Sequence, residues 1–162
     1  MQEKWSLYNG SDIEWDRETD TNNSHYRQTT AWSRLKQKKG WKVIRLTNGI
    51  EHKNTMTQVL YKRVLFVTFF FIPGGVVGSV ENLNNDFIKF LIKITNSKLY
   101  YIRVDDGSFN KDNFDYFDNS KYWIRPTYRL NESKCAYFDL TNFNGQSDYF
   151  KNSSRDFKSS IK

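Results

Sequence analysis

One apolar run, residues 64–80, limits the folds that this chain can adopt. It reads VLFVTFFFIPGGVVGSV, and Pro73-Gly74-Gly75 interrupts it in the middle. A membrane-spanning helix needs about 20 predominantly apolar residues, and a proline followed by glycines breaks a helix. The part before the break is rich in β-branched and aromatic residues, which favour strands. We therefore predict a strand over residues 64–72, central in a sheet and covered on both faces.

A second informative segment, residues 25–46, joins a basic helix to a strand. Its sequence is HYRQTTAWSRLKQKKGWKVIRL. Thr29 or Thr30 can cap a helix over residues 29–39 that turns Trp32 inward, and Gly40 can end it. The alternation after Gly40 predicts a strand over residues 41–47. The helix end can bind an anion, or it can be an ordinary solvated basic face. Its basic residues are Arg34, Lys36, Lys38 and Lys39.

The remaining pattern predicts a mixed order of strands and helices. Ser11 can cap a helix that reaches about residue 20, and Asn82 or Asn84 can cap a helix with one broad apolar face. Asn48-Gly49 is a strong turn signal between strands. This order favours an α/β (α+β) fold. The other predicted elements are strands 4–8, 54–63, 98–104, 121–130 and 134–140, a helix over 109–118, and a helical stretch from about 146.

Composition and charge narrow the class of protein further. The 162 residues suit one domain, and the net charge of +7 favours an anionic partner. Such partners include nucleic acid, a nucleotide-linked substrate and a membrane surface. Cys135 is the single cysteine, so a disulfide framework is excluded, in agreement with a reducing cytoplasm. The first residues, MQEKWSLYNG, lack the apolar stretch of a signal peptide.

The residues alone predict no catalytic machinery and no metal site. His25 and His52 have no Ser or Cys motif around them, so we interpret both as surface residues. No metal-ligand spacing is present. The glycines of IPGGVVGSV follow a strand, but the spacing and the leading residue match a coenzyme A loop poorly. A turn after the central strand is the simpler interpretation.

Several short motifs together resemble a known enzyme family. They are Trp32-x-x-x-Lys36, Gly40-Trp41, FIPGG ending at Gly75, YYIRVDD over 100–106, and RPTYRLNESKCAYFDL over 125–140. Residues 11–162 resemble the first half of the Fem-type aminoacyltransferases, within the GNAT-like acyltransferase superfamily. The resemblance implies a mixed, mainly antiparallel sheet flanked by helices. It also implies transfer of an amino acid from aminoacyl-tRNA to the amine of a peptidoglycan precursor.

The resemblance also implies a set of site residues. By its place in the Trp-x-x-x-Lys motif, Lys36 would bind substrate phosphate. Arg103, next to Asp105, would lie near the cleft, which Trp32 and Trp41 would help to form; a structural ion pair with the acid is the alternative role for Arg103. The implied acceptor is a UDP- or lipid-linked precursor, in the cytoplasm and with contact to the membrane surface allowed. No cofactor is implied, and the catalytic residue stays unassigned. Arg155 and Lys158 match a basic stretch that also reaches the phosphates in the family.

The same resemblance divides the chain into two parts. Residues 1–145 would form an N-terminal GNAT-like lobe, and residues 146–162 would begin a helix that leads to a second, missing lobe. A truncated product, a fragment and a single-lobe relative all fit this interpretation, as does a complete single domain. If the chain is truncated or has a single lobe, we do not expect these 162 residues to catalyse the transfer without a second lobe.

Two other functions fit the sequence. One is a GNAT-like N-acyltransferase of surface-polysaccharide biosynthesis with an acyl-CoA donor, and the other is a non-catalytic basic module that binds RNA or another polyanion. A transferase would have a deep cleft lined by Lys36 and Arg103, whereas a module would present a flat basic stripe with exposed aromatic rings.

Overall fold

The computed structural model describes residues 5–22, 24–49, 55–105 and 111–124. All of them belong to one compact unit, Met1–Thr127. Several predictions fall outside the described residues: most of the strand at 121–130, the strand at 134–140, the final helix, His52, Cys135, Arg155 and Lys158.

The described residues form a mixed sheet with helices, as the sequence predicts. The strand order is β1-β2-β3-β4-β5; the first four strands are antiparallel neighbours and β5 runs parallel to β4. The elements in chain order are β1 (Trp5–Leu7), α1 (Asp12–Thr21), a 3-10 turn (Tyr26–Gln28), α2 (Thr30–Gln37), β2 (Lys42–Asn48), β3 (Thr55–Val64), β4 (Val67–Pro73), a second 3-10 turn (Val80–Asn82), α3 (Asn85–Thr95), β5 (Leu99–Asp105) and α4 (Lys111–Asn119).

Local capping sets where three of the helices begin. Ser11 caps α1 in a reciprocal capping box with Glu14, Thr29 caps α2, and Asn84 caps α3 through the backbone N–H groups of its first turn. Asn96 then ends α3 in the left-handed conformation, with a φ of 49°. The predicted caps at Ser11 and Asn84 are confirmed, and Thr29 rather than Thr30 caps α2.

The main core lies between one face of the sheet and α3. Phe70 and Ile72 of β4 pack with Val59 of β3 against Phe87 and Leu91 of α3, and all five side chains are buried. Burying a side chain of this kind contributes about 1.5–3 kcal/mol. A smaller cluster of Trp15, Met56 and Val77 holds α1 to the start of β3. The sheet therefore carries α3 on one face and α1 on the other.

The prediction that β4 is covered on both faces is wrong. The strand does lie inside the sheet, between β3 and β5, but it begins at Val67 because residues 65 and 66 form the turn from β3. Its second face carries Phe69, which remains 39% exposed, and Phe71, which is half-buried. Within the described residues, those two rings contact aromatic neighbours and not a helix, so the run is continuously apolar without being fully covered. No helix among the described residues is long and apolar enough to cross a bilayer.

The inward-facing side of α2 also differs from the prediction. Thr30 and Ser33 are its buried residues, whereas Trp32 is only half-buried and Leu35 is exposed. The sheet beneath α2 is polar, since Arg45 lies there and its guanidinium approaches the Ser33 hydroxyl at 3.5 Å. A polar surface selects small hydroxyl side chains on the helix above it, which explains the difference.

The chain after α4 forms a turn and not the start of a strand. The described part of the predicted strand 121–130, residues 121–124, contains no strand. Trp123 instead donates its indole N–H to the Leu83 carbonyl at 2.8 Å, and its ring packs edge-on against Phe117. This packing ties α4 (Lys111–Asn119), predicted over 109–118, to the start of α3.

Candidate functional site

The parallel strands β4 and β5 end side by side, and the turn Tyr26–Gln28 lies in front of them. Phe71 is opposite Arg103 and Pro73 is opposite Asp105 in the register. Arg27 of the turn reaches the Asp105 carboxylate, with 3.7 Å between the ion-pair atoms. The topology therefore brings a residue from the polar loop before α2 to the carboxyl ends of two sheet strands.

Three cations meet there around one carboxylate and one indole ring. The Arg103 Nε donates to the Asp105 Oδ1 at 2.8 Å, and the Asp105 side chain is only 9% exposed. The Arg27 guanidinium carbon lies 5.6 Å from the centre of the Trp32 ring, and the Lys36 Nζ lies 4.7 Å from the same ring. We call these five residues the cation cluster: Arg27, Trp32, Lys36, Arg103 and Asp105.

Lys36 differs from its neighbours on α2. Its side chain is half-buried against Trp32, whereas Arg34, Lys38 and Lys39 are exposed. A cation over an indole ring gains about 0.5–1 kcal/mol at a surface and more when water is excluded. The buried Trp32 Nε1 has no hydrogen-bond partner among the described residues. A buried donor without an acceptor is costly, so this part of the cluster suits a ligand that carries acceptor atoms.

Aromatic rings support the cluster from the sheet. The Arg103 guanidinium carbon lies 5.4 Å from the centre of the Phe71 ring, and Trp41 packs against the same ring at 6.4 Å between centroids. Trp41, predicted as a cleft residue, thus reaches the cluster indirectly through Phe71. The rings restrict where the Arg103 guanidinium can lie.

Gln28 positions the turn that carries Arg27. Its side chain is fully buried, and its Nε2 donates to the carbonyls of Pro73 at 2.6 Å and Gly75 at 2.9 Å. Its Oε1 accepts from the Gln58 backbone N–H at 2.5 Å. The Gln58 side chain in turn donates to the Arg27 carbonyl at 3.3 Å. Two buried amides therefore bind the loop, β3 and the end of β4 together.

His25 is not the surface residue that the sequence predicted. It is half-buried, and its Nδ1 accepts from the Arg27 backbone N–H at 3.2 Å, which caps the turn. It also fills the space beside Gly74, since a Cβ at that glycine would lie 2.6 Å from the His25 Cβ. Because Gly74 and Gly75 are buried and their surroundings are occupied by His25 and Gln28, this segment serves as the predicted turn.

A pocket of about 310 Å³ lies elsewhere, between α1, α2 and β2. Asp12 bridges two arginines there: its Oδ2 is 2.7 Å from Arg34 and its Oδ1 is 2.5 Å from Arg45. Neither Lys36 nor Arg103 lines this pocket, so it is not the predicted cleft. We interpret the ion pairs as fastening α1 and α2 to the sheet. The lining residues are Tyr8, Asp12, Ser33, Arg34, Gln37, Val43 and Arg45.

The ion pairs of Asp12 predict an acid-dependent loss of stability. Hydrogen bonds from Arg45, and then from Arg34, hold the pKa of Asp12 below its ordinary value of 3.8. The stabilisation is therefore complete above that value and disappears as the pH falls through the lower pKa of the folded state. Because Asp12 is 42% exposed, solvent screening limits the effect to less than about 1 kcal/mol.

Urea unfolding at a series of acid pH values measures this effect. We expect Asp12→Asn to show a shallower fall of unfolding free energy than the unaltered chain in this range. Asp20→Asn, an exposed substitution at the other end of α1, is the control. Parallel curves for Asp12→Asn and the unaltered chain would contradict the assignment.

Comparison with known proteins bears on the fold. No family model matches the sequence, and no curated protein matches it significantly. Among solved structures, the crystal structure of FemX is similar, with a TM-score of 0.53 over 75% of this chain. This chain has a Fem-type fold. The predicted resemblance is thus confirmed for the fold, and at 22% identity the likeness concerns the fold alone. The chain spans about a third of FemX, 36% of that chain.

The structure brings most of the described predicted residues into one connected group. Lys36, Trp32, Arg103 and Asp105 are linked through Arg27, which the sequence analysis did not select. Arg27 lies in the same 25–46 segment as Lys36, but no pattern in the sequence predicts its contact with Asp105. Gln28 was missed as well, because a glutamine in a polar loop gives no signal of burial. Arg155 and Lys158 lie outside the described residues.

Proposed function

We propose that this chain is the N-terminal lobe of a Fem-type aminoacyltransferase that acts on a cell-wall precursor. The observation that carries the proposal is the half-buried Lys36, held over the Trp32 ring that Arg27 also contacts. The cation cluster contains three cations and one carboxylate, and that carboxylate, Asp105, pairs with Arg27 and Arg103 but not with Lys36. The cluster therefore carries a net positive charge, which is complementary to the pyrophosphate of a UDP- or lipid-linked precursor.

Each residue of the cluster has a role in this proposal. Lys36 binds one phosphate as a compact charge, and Trp32 restricts its position while offering a buried N–H to an acceptor. Arg27 and Arg103 are oriented by Asp105, and their planar guanidinium groups suit phosphate oxygens. Arg155 and Lys158 lie outside the described residues, and they stay predicted phosphate ligands from the family resemblance alone.

The proposed reaction needs alignment more than a protein nucleophile. The amine nitrogen of the precursor attacks the ester carbonyl of aminoacyl-tRNA, so that a C–N bond forms. The ester C–O bond breaks, and the amine proton passes to the leaving ribose oxygen, which departs as a hydroxyl. Holding the two substrates in line and stabilising the oxyanion supply most of the acceleration in such reactions.

We propose that a two-lobed protein in the cytoplasm carries out the aminoacyl transfer. Residues 1–145 form the lobe that binds the precursor, and residues 146–162 lead to the second lobe. The chain spans 36% of FemX, so we propose that the chain alone binds the precursor and is inactive in transfer. An assay of product formation by the two-lobed protein distinguishes the two possible donors. We expect product formation to depend on aminoacyl-tRNA and not on acyl-CoA.

Substitution of Lys36 tests the proposed site. We expect Lys36→Ala to weaken binding of a UDP-linked muramyl pentapeptide by about 10- to 100-fold, since a charge-assisted hydrogen bond contributes about 1.5–3 kcal/mol. Isothermal titration calorimetry measures the affinity, and circular dichroism checks that the chain stays folded.

Lys38→Ala provides the matched control, because Lys38 lies on the exposed side of the same helix end. We expect the affinity of this variant to stay within about twofold of the unaltered chain. Equal affinities for Lys36→Ala and the unaltered chain would remove Lys36 from the site.

A further inference from the structure

The turn between β3 and β4 exposes two large apolar side chains. Val64 pairs with Val67, so Leu65 and Phe66 form a two-residue loop at the tip of the hairpin. Leu65 is 86% exposed and Phe66 is 69% exposed. Leu65 also has a positive φ of 54°, a conformation that favours glycine or asparagine. Neither packing nor backbone geometry in the described residues accounts for leucine at this position.

The apolar surface continues from the tip onto the neighbouring strand. Leu99 lies opposite Val67, and Tyr101 lies opposite Phe69, whose ring it contacts at 6.1 Å between centroids. Leu99 and Tyr101 are each 53% exposed. We call this surface the hairpin patch: Leu65, Phe66, Phe69, Leu99 and Tyr101. A contiguous exposed patch of this kind marks an interaction surface.

The charged residues on the chain segments that carry the hairpin patch are all basic among the described residues. Residues 61–69 and 93–102 contain no aspartate or glutamate. Lys62, Lys93 and Lys98 are exposed there, together with Arg63. The basic end of α2 lies at the same end of the sheet, because Lys42 pairs with Tyr61 and Gly40 lies close to the Lys62 ammonium. In the described part of the chain, an apolar tip thus projects from a positively charged surface.

We propose that this end of the sheet docks on an anionic lipid bilayer. Leu65 and Phe66 enter the boundary between headgroups and acyl chains, and the surrounding lysines attract anionic headgroups. Binding of this kind needs apolar depth and diffuse positive charge, and the hairpin patch supplies the first while the basic residues beside it supply the second. The inference rests on this surface alone and does not depend on the proposed function.

The chemistry of the patch favours a bilayer over two other partners. In an isologous pair of chains the patch would face itself, and the lysines of one copy would approach those of the other. A single-stranded nucleic acid would stack its bases on aromatic rings, but the most exposed side chain of the tip is the aliphatic Leu65.

Vesicle co-sedimentation tests the proposal. We expect the chain to bind vesicles of phosphatidylcholine and phosphatidylglycerol, and to bind vesicles of phosphatidylcholine alone much more weakly. Leu65→Asn/Phe66→Asn should abolish binding without unfolding the chain, since asparagine tolerates a positive φ. Lys62→Gln/Lys93→Gln/Lys98→Gln should weaken binding on the order of a hundredfold, roughly fivefold for each cation removed.

Two variants serve as controls on other surfaces. Ile13→Asn removes an equally exposed apolar side chain from α1, and Arg17→Gln/Lys89→Gln/Lys121→Gln removes the same charge from exposed positions elsewhere. We expect both to bind the anionic vesicles within about twofold to threefold of the unaltered chain. Equal loss in the test and control variants would overturn the proposal, as would failure of the unaltered chain to bind.

Sedimentation equilibrium without lipid completes the test, since a dimer lost in Leu65→Asn/Phe66→Asn would reassign the patch to self-association.

Discussion

Replacing Gln28 by methionine is expected to lower the free energy of unfolding by about 4 kcal/mol. The substitution keeps the length of the side chain but removes every polar atom of the amide. The carbonyls of Pro73 and Gly75 and the backbone N–H of Gln58 would then be buried without their partner. Each such group costs about 1–3 kcal/mol. Urea unfolding followed by tryptophan fluorescence measures the difference.

A glutamine on the surface gives the comparison for this experiment. Gln37→Met makes the same chemical change at the exposed end of α2, where surface substitutions usually change stability by less than about 0.5 kcal/mol. A loss below about 1 kcal/mol for Gln28→Met would show that the buried amide does not hold the loop.

We also expect Gln28→Met to weaken precursor binding more than its remaining folded fraction explains, because Arg27 loses its support.

Gly74→Ala is the second substitution with a large expected effect, a loss of about 3 kcal/mol or more. Gly74 has a φ of 77°, which costs roughly 1–2 kcal/mol for a residue with a Cβ. The added Cβ would also lie 2.6 Å from the His25 Cβ, and overpacking of this kind costs about 1–3 kcal/mol. Thermal and urea unfolding measure the loss.

Gly40→Ala separates backbone strain from steric overlap. Gly40 has nearly the same φ, 78°, but the nearest atom to its added Cβ is the flexible Lys62 Nζ at 3.6 Å. We expect this control to lose only the strain energy, roughly 1–2 kcal/mol. His25→Gly in the Gly74→Ala background should recover part of the overlap cost in a double-mutant cycle. Equal losses for Gly40→Ala and Gly74→Ala would contradict tight packing of His25 on the turn.

Features that depend on near neighbours along the chain could be predicted from the residues alone. Ser11 and Asn84 predict where α1 and α3 begin, because a capping side chain accepts hydrogen bonds from backbone N–H groups two or three residues away. Trp32 and Lys36 are four residues apart, so their contact follows from helix geometry. Arg103 and Asp105 lie on the same side of one strand for the equivalent reason.

Contacts between distant residues, and the coverage of each sheet face, follow from the packing of the whole fold and from no local pattern. Arg27 joins Asp105, and Gln28 fills its buried position, only once the loop before α2 lies across the ends of β4 and β5. The partial exposure of one face of β4 could not be predicted either. An apolar run has the same composition whether a helix or solvent covers that face. Local rules act through hydrogen bonds within one or two turns of chain, whereas burial is set by what packs from elsewhere.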